Sequence, residues 1–220
     1  MPTVEKSRRL RLLPHKSLIK TNDVDHADWN YKPFIGTIQR LRFRLIRELL
    51  GDERYGRLLE IGYGSGVFMP ELAARCDELF GIDPHPRDMD VQNMLKEHSV
   101  ISTLRSAGAG SIPFGDSFFD CAVAVSALEF IPDLNRACEE VLRVLKPDGV
   151  FVIVTPGQSP MLDLGLKILT GKSAKKDFDN RREVILPTLL QHFRVLKRID
   201  HPPFIGRGIR LYTALRLVRK

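Results

Sequence analysis

A glycine-rich stretch in the first third of the chain holds the residues best suited to bind a ligand. It reads Leu58-Leu59-Glu60-Ile61-Gly62-Tyr63-Gly64-Ser65-Gly66-Val67-Phe68. An apolar, strand-like run leads directly into the glycines, and a helical pattern follows them. Glycines at such a turn let a ligand approach the backbone, whose free N–H groups then point at it. The stretch therefore predicts a ligand-binding loop between a strand and a helix.

An acidic residue follows at the spacing expected for ribose recognition. Asp83 ends the run Gly81-Ile82-Asp83 and stands 22 residues after Ile61. In nucleotide-binding α/β units this gap is about 20 residues, and the carboxylate accepts hydrogen bonds from the ribose hydroxyls. The loop and the acid together indicate an adenosine-containing cofactor. The alternatives are a plain strand-to-helix turn for the glycines and a helix cap for Asp83.

The glycine spacing and a preceding acid discriminate among adenosine cofactors. A dinucleotide fingerprint reads G-x-G-x-x-G. Here the glycines stand at 62, 64 and 66, and the third glycine of that fingerprint would fall on Val67. Glu60 would repel a pyrophosphate, but it suits a ligand that carries an ammonium and a sulfonium. Both features argue against a dinucleotide.

Over residues 57–156 the chain resembles class I S-adenosylmethionine-dependent methyltransferases of the small-molecule type, which includes enzymes of the ubiquinone and menaquinone pathways. Further motifs carry this resemblance beyond the glycine loop and Asp83. They are Ser111-Ile112-Pro113-Phe114, Asp116-Ser117-Phe118-Phe119-Asp120, Leu128-Glu129-Phe130-Ile131-Pro132-Asp133 and Arg143-Val144-Leu145-Lys146-Pro147-Asp148-Gly149. Their order and spacing match the family, so the resemblance implies S-adenosylmethionine as the cofactor.

The resemblance also implies which residues surround that cofactor. Glu60, Gly62 and Gly64 would lie around its methionine part, and Asp83 would hold the ribose. The full set of expected cofactor-binding residues is Glu60, Gly62, Tyr63, Gly64, Gly66, Asp83, Pro84, Ala109, Ser126 and Ala127. Ala109 would lie against the adenine, and Ser126 and Ala127 would line the sulfonium side. No metal site is expected.

One position departs from the family pattern. Where relatives usually place an acid that binds the adenine amino group, just before Ala109, this chain has Gly108. Either backbone groups of residues 108–110 replace that contact, or the cofactor binds weakly. We expect changes at Asp83 to abolish cofactor binding and changes at Gly108 to leave it in place.

Methyl transfer from a sulfonium is an in-line displacement, so the protein mainly positions the acceptor and excludes water. A catalytic nucleophile is not needed. A hydroxyl or acidic carbon as acceptor would benefit from a base, for which Glu129, His15 and His26 are the candidates. The other histidines are interpreted as peripheral. Trp29 and Tyr31 would close over the sulfonium by cation-π contact or form a hydrophobic staple for the next helix.

The elements that must position these residues follow an alternating pattern. Strand-like runs at 57–61, 78–83, 99–105, 119–126 and 150–155 are separated by helical patterns at 67–76, 86–98 and 133–146. A final helix is expected at 181–192, followed by an antiparallel pair at 193–199 and 209–218. This order predicts an α/β fold with a doubly wound, mostly parallel seven-stranded sheet and an antiparallel last strand, as in Rossmann-like methyltransferases.

The N-terminal region is expected to cover this core. Residues 1–30 read as an arm or lid, and 33–50 as an amphipathic helix that ends at Gly51. Its apolar positions are Ile38, Leu41, Leu45, Ile46 and Leu49, with Arg40, Arg44 and Arg47 on another face. We therefore divide the chain into an N-terminal arm and cap helix, residues 1–50, and an S-adenosylmethionine-binding domain, residues 51–220.

Charge is distributed unevenly along the chain, whose net charge is +7. Residues 1–50 hold 11 basic and 5 acidic side chains, residues 51–156 hold 9 and 17, and residues 157–220 hold 14 and 5. This pattern favours a small-molecule or lipid-like acceptor, with an anionic acceptor or surface as one interpretation and a solvated basic face as the other. Peripheral membrane contact through the basic amphipathic helix stays open.

Three other functions are compatible with parts of the sequence. An RNA-modifying methyltransferase would use the basic flanks, but the Pro-Pro-aromatic motif of amine methylation is missing after the fourth strand, where Ser126-Ala127-Leu128-Glu129 stands. The remaining rivals are a nicotinamide-dependent oxidoreductase and a non-catalytic S-adenosylmethionine-binding partner protein. Three widely spaced cysteines and the lack of a signal or membrane-spanning run predict a cytoplasmic protein.

Overall fold

The computed structural model describes residues 9–22, 25–157, 181–202 and 210–220. The sequence also predicts a helical stretch soon after Thr155 and a basic run at 172–176, which lie outside the described residues. One sheet of seven strands dominates the part that is described, in the order β3-β2-β1-β4-β5-β7-β6. The strands are β1 (Tyr55–Ile61), β2 (Cys76–Asp83), β3 (Thr103–Ser106), β4 (Phe119–Val125), β5 (Leu145–Pro156), β6 (Phe193–His201) and β7 (Tyr212–Arg219).

Strand direction divides the sheet into two parts. β1 pairs in parallel with β2 and β4, β2 with β3, and β4 with β5. β7 runs antiparallel to both β5 and β6. The predicted fold class, including the antiparallel last strand, is confirmed.

Helices cover both faces of the sheet, because its central strands alternate between two apolar clusters. Leu58, Val123 and Val152 face a cluster that includes α1 (Ile35–Leu50), α2 (Met69–Ala73) and α3 (Asp88–Glu97). Leu59, Ala122 and Phe151 face the opposite cluster, with α4 (Leu134–Val144) and α5 (Arg181–His192). The core is therefore three layers thick, with the sheet in the middle. Phe114, Phe118 and Phe119 pack with Phe80 in the second cluster, as expected for core residues.

Two predicted boundaries are wrong for identifiable reasons. β3 begins at Thr103 rather than at residue 99, because Ser99 has φ 61° and belongs to the end of α3. There the Val100 N–H donates to the Leu95 carbonyl at 2.9 Å, as in a Schellman ending. β5 begins at Leu145, directly after α4, so part of the predicted helix at 133–146 is strand. The Asp133 cap is confirmed, since its Oδ1 accepts from the Arg136 N–H at 3.0 Å.

α1 occupies the position predicted for the amphipathic helix, but its faces differ from the prediction. Leu45, Ile46 and Leu49 are buried as expected, and Phe43 joins them. Ile38 was placed on the apolar face, yet it is 44% exposed. The buried Leu45, Ile46 and Leu49 follow Arg42 by three, four and seven residues, a spacing that puts Arg42 on the inward side instead. Among the described residues, no helix has the length and apolar character needed to cross a membrane.

The described part of the N-terminal arm is anchored to the core. It contains the 3-10 helices η1 (His15–Ser17) and η2 (Ala27–Tyr31). Leu13 is 1% exposed, and its N–H donates to the Val67 carbonyl at 3.2 Å. The Arg11 N–H donates to Oε2 of the buried Glu71 in α2 at 2.7 Å. These bonds hold the arm alongside the glycine loop.

Candidate functional site

The expected site lies where the strand order changes direction, between β1 and β4. In open α/β sheets, ligands bind outside the carboxyl ends of the strands at such a switch point. Glu60 and the glycines end β1, Asp83 ends β2, and Ser126 and Ala127 follow β4. The fold thus brings the sequence-predicted residues to one edge of the sheet.

The glycine loop needs glycine for both conformational and steric reasons. Gly62, Gly64 and Gly66 have φ of 76°, 53° and 69°, a region that costs other residues free energy. A Cβ on Gly62 would lie 2.6 Å from the Ala127 Cβ. The end of β1 and the turn after β4 are therefore in direct contact, and a side chain at Gly62 would push them apart.

Asp83 holds the loop in this conformation. Its Oδ2 accepts from the Gly64 N–H at 2.9 Å, and its Oδ1 accepts from the His85 N–H at 3.3 Å. The side chain does not cap α3, whose N-cap residue is Arg87. A carboxylate has about four lone-pair positions, so both oxygens keep capacity for ribose hydroxyls. The residue ties the loop to β2 while still facing the ligand side.

His85 was interpreted as peripheral, and that interpretation is wrong. It is 5% exposed, with Nε2 3.0 Å from the Gly64 carbonyl oxygen. Its Nδ1 accepts from the Arg87 N–H at 3.1 Å, so the neutral ring carries its proton on Nε2 and donates it to Gly64. The position two residues after Asp83 was the only sequence signal for this role.

Glu60 is buried in the α1-facing layer of the sheet. It is 3% exposed, and its Oε2 has no hydrogen-bond partner among the described residues. Burial, and to a lesser extent the nearby Asp83 carboxylate, raises the pKa of Glu60 to about 8, with Arg42 opposing the shift. A buried carboxylate without a hydrogen-bond partner costs free energy unless something completes it. Glu60 is therefore suited to receive a cationic group.

Arg42 is a site residue that the sequence analysis missed. Its Nε is buried and has no hydrogen-bond partner within the described ranges. Burial lowers the pKa of the guanidinium, while Tyr212, Glu129, Asp25 and Glu60 act in the opposite direction. Its helical spacing to the buried Leu45, Ile46 and Leu49 was a usable signal, although arginine is usually assigned to the solvent face.

The turn after β4 places three further predicted residues beside the loop. Ser126 has φ 51°, and its N–H donates to the Val154 carbonyl at 2.8 Å. Its buried Oγ lacks a hydrogen-bond partner in the part of the chain that is described. Glu129 lies in η3 (Leu128–Phe130) and is only 2% exposed. Of the three proposed bases, Glu129 alone is buried next to the strand ends.

The adenine side is formed by the segment after β3. Ala109 is 8% exposed and belongs to the cluster with Ile61 and Ile112. Pro84 is exposed directly after Asp83. Tyr63 is buried, and its ring meets His85 edge-on at 5.0 Å between centroids. Gly108 has open space around it, since an added Cβ would meet nothing within 4 Å.

The other two proposed bases lie on the arm. His15 is exposed and stacks on Tyr31 at 5.0 Å, while His26 is exposed and stacks on Trp29 at 4.4 Å. The Tyr31 hydroxyl donates to the Leu13 carbonyl, and Lys32 Nζ lies 5.5 Å from the centre of the Trp29 ring. These rings are already engaged in contacts within the arm.

The remaining family motifs act as supports. Arg143 Nη2 donates to Glu140 Oε2 at 2.8 Å and to the Ile112 carbonyl at 2.9 Å. Glu140 Oε2 also accepts from the Ile112 N–H at 2.8 Å, and Arg143 Nη1 binds Asp116 at 2.8 Å. This network fixes the segment between β3 and β4 against α4.

A groove of about 510 Å³ with mixed polar and apolar walls begins at Leu128, directly after the turn that follows β4. Its walls come from that turn, the start of α4 and α5. The lining residues are Leu128, Ile131, Pro132, Asp133, Leu134, Asn135, Val184, Ile185 and Thr188. Among the described residues, no group of three or more His, Cys, Asp or Glu side chains is arranged to hold a metal ion.

Comparison with known proteins confirms the resemblance. The family described as "Methyltransferase domain" matches residues 59–153. Sterol 4-C-methyltransferase strm-1 of Caenorhabditis elegans is 35% identical over 98 residues, which are 43% of this chain and 29% of that protein. Ubiquinone/menaquinone biosynthesis C-methyltransferase UbiE of Vibrio cholerae serotype O1 is 28% identical over 129 residues, 54% of this chain and 48% of that protein. The chain thus spans less than half the length of either curated relative.

A solved structure confirms the fold. Geranyl diphosphate C-methyltransferase from Streptomyces coelicolor A3(2), crystallised with Mg²⁺, geranyl diphosphate and S-adenosyl-L-homocysteine, matches with a TM-score of 0.65. The sequence identity is 14%, and the match covers 91% of this chain and 85% of that one. The Rossmann-like methyltransferase fold predicted from the sequence is therefore confirmed.

Proposed function

We propose that this chain, whose residues 59–153 match the methyltransferase-domain family, binds S-adenosylmethionine and transfers its methyl group to a small-molecule or lipid-like acceptor. The observation that carries the proposal is the buried pair of incompletely bonded groups, Glu60 and Arg42, beside the glycine loop. Cytoplasmic location stays a prediction, supported by free and buried Cys76, Cys121 and Cys138.

The residues present fit the chemical groups of this cofactor. S-adenosylmethionine carries an ammonium and a carboxylate at one end and ribose hydroxyls in the middle. The Glu60 carboxylate would hold the ammonium, Arg42 the carboxylate, and Asp83 the hydroxyls. Buried polar groups in proteins are completed by hydrogen bonds, and a ligand with these charges would complete both Glu60 and Arg42.

Ser126 and Ala127 would line the sulfonium side. Ser126 keeps a hydroxyl without a hydrogen-bond partner in the described residues, and Ala127 is only partly exposed. Small side chains at this turn leave room for the acceptor to approach in line with the methyl–sulfur bond. The bound cofactor supplies an activated methyl group whose leaving group is a neutral thioether.

The protein's own contribution is to position the acceptor and exclude water. Glu129 is suited to accept a proton from an acceptor hydroxyl or acidic carbon, because it is buried next to the turn that follows β4. We assign Glu129 the role of base on this geometry.

An acceptor with both apolar and polar parts would fit the groove that begins at Leu128. Five apolar side chains and Pro132 line it, with Asp133, Asn135 and Thr188 as the polar groups. Lipid-like molecules bind in sites of this kind, where a few polar groups set the orientation. The relatives' names agree, since they specify a sterol, a quinone pathway and geranyl diphosphate as acceptors.

Transfer of a labelled methyl group tests the proposal. The full chain would be incubated with methyl-tritiated S-adenosylmethionine and, separately, with a sterol, a quinol precursor, a prenyl diphosphate and bulk RNA. We expect label in an organic-soluble product from at least one lipid-like acceptor, with Glu129→Gln slowing turnover and Arg42→Met weakening cofactor binding. Label in RNA alone would replace this function with the RNA-modifying one.

A further inference from the structure

A strained turn displays an aromatic side chain at the start of α1. Phe34 has φ 59° and ψ −61°, and the Ile35 N–H donates across it to the Pro33 carbonyl at 2.7 Å. This is a γ-turn of the rare positive-φ kind, which a bulky residue adopts only at a cost in free energy. The Phe34 side chain is nevertheless 90% exposed. The turn therefore strains the backbone without burying the ring.

The exposed side of α1 continues from this ring along the helix. Ile38, one turn after Phe34, is 44% exposed, and Arg44 is exposed further along. Ile35–Leu50 contains four arginines and one glutamate. At the far end of the helix, Glu48 lies 3.5 Å from Lys197 of the edge strand β6. We call Lys32, Phe34, Ile38, Arg44 and Lys197 the α1 surface.

We propose that the α1 surface docks on an anionic lipid membrane. Phe34 and Ile38 enter the headgroup region, and Lys32, Arg44 and Lys197 contact lipid phosphates. Exposed apolar and basic residues along and around one helix are the chemistry of interfacial membrane binding, where apolar burial and attraction to anionic lipids add together. A protruding aromatic ring at such an interface is stable with its apolar body buried in lipid.

Membrane fits this surface better than nucleic acid does. Binding to single-stranded nucleic acid relies on open aromatic faces on which bases stack. Trp29, in η2 just before α1, is stacked by His26 at 4.4 Å and approached by Lys32 at 5.5 Å. Phe34 is instead accompanied by an exposed aliphatic residue, Ile38, and by the basic residues Lys32 and Arg44. The inference goes beyond the proposed function, because membrane binding does not require methyl transfer.

Cosedimentation with lipid vesicles tests the proposal. The full chain would be mixed with vesicles of phosphatidylglycerol and phosphatidylcholine, and with phosphatidylcholine alone. We expect binding to the anionic vesicles and a loss of about tenfold or more in Phe34→Gly. Glycine suits the positive φ of the turn, so this variant should unfold at the same or a higher temperature than the original chain.

A matched control removes an exposed apolar side chain elsewhere. Ile101 is 72% exposed and precedes β3, at the opposite edge of the sheet from β6. Ile101→Ser should bind anionic vesicles as the original chain does. Arg44→Gln should lose about fivefold, the effect of one basic residue near an anionic surface.

Two results would overturn the membrane proposal. One is equal vesicle binding by the original chain and Phe34→Gly, and the other is an absence of binding to anionic vesicles. Phe34→Gly is expected to keep its affinity for S-adenosylmethionine in calorimetry. Failure of the membrane proposal is thereby distinguished from failure of the proposed methyltransferase function.

Discussion

Glu60 shows how a single residue links folding to ligand binding. Its carboxyl is 3% exposed in the same layer as Arg42, and one of its oxygens has no partner among the described residues. Burying such a group is unfavourable for folding alone. A cation bound next to Glu60 would offset this unfavourable free energy. A bound ammonium would therefore stabilise the folded protein.

The raised pKa of Glu60 makes the stability of the ligand-free protein depend on pH. Its pKa is about 8 when folded, against 4.5 for the ordinary carboxyl. Between these values the folded chain holds a proton that the unfolded chain has lost, so stability falls as pH rises. Glu60→Gln should therefore stabilise the protein by roughly 2–4 kcal/mol more at pH 8 than at pH 4.5. Urea denaturation at both pH values checks this, and an equal effect at both would contradict it.

Gly108 allows a gain-of-affinity test on the adenine side. An added Cβ would meet nothing within 4 Å, so a larger residue should fold normally there. We expect Gly108→Asp to tighten binding of S-adenosylmethionine about five- to tenfold, the effect of roughly 1 kcal/mol from one added hydrogen bond to the adenine amino group. Calorimetry measures the change. Weaker binding by this variant would place the adenine elsewhere.

Residue roles were predictable where they depend on local sequence. Glu60, the glycines and Asp83 belong to runs whose spacing sets their place at strand ends. Arg42 and His85 could not be placed in the same way, because their burial depends on contacts with distant segments. An arginine is expected on the solvent-exposed face of a helix, whereas tertiary packing places the Arg42 Nε in the interior.

At the scale of elements, the turn after β1 and the turn after β4 form one unit. Only a glycine at position 62 lets Ala127 come this close, since an added Cβ would lie 2.6 Å from the Ala127 Cβ. The Ser126 backbone, with φ 51°, directs the chain across the end of β1. The ends of β1 and β4 therefore together shape the place expected for the sulfonium of the cofactor.

Gly62→Ala should damage both stability and binding, because it adds a clash to an unfavourable φ. We expect it to lower the free energy of unfolding by about 2–4 kcal/mol and to weaken S-adenosylmethionine binding at least tenfold. Gly51→Ala is the matched control, since Gly51 has φ 67° but no atom within 4 Å of an added Cβ. Because of its unfavourable backbone conformation alone, it should cost about 1–3 kcal/mol and leave binding unchanged. Thermal unfolding and calorimetry on both variants test the steric explanation. Equal losses of S-adenosylmethionine binding in the two variants would refute it.

Strand and helix order was predictable because each buried strand is short, apolar and followed by a helical pattern. The boundaries of these strands and helices were harder to predict than their order. Ser99 adopts a left-handed conformation that ends α3, and β5 starts without a loop after α4, neither of which apolar periodicity reveals. α2 is also shorter than the run at 67–76, since β2 already begins at Cys76.

At the scale of the whole molecule, the acidic central region of the sequence and its basic flanks contribute different parts of the fold. The central region supplies strands β1 to β5 and the acidic residues Glu60, Asp83 and Glu129, while α1 and the edge strand β6, from the two flanks, carry positive charge. The arm is attached to the core through Leu13 and Arg11, beside the glycine loop. The proposed cofactor site and the α1 surface thus share one helix, with Arg42 facing inward and Arg44 facing solvent.

Isothermal titration of the full chain with S-adenosylmethionine, S-adenosylhomocysteine and NAD tests the central claim most directly. Asp83→Asn serves as the control, because it keeps the size of the side chain that binds Gly64 and removes its charge. We expect both sulfur-containing ligands to bind, both to lose at least tenfold in affinity in the variant, and NAD not to bind. Binding of NAD alone, or of none of the three, would contradict the assignment of this chain as an S-adenosylmethionine-dependent methyltransferase.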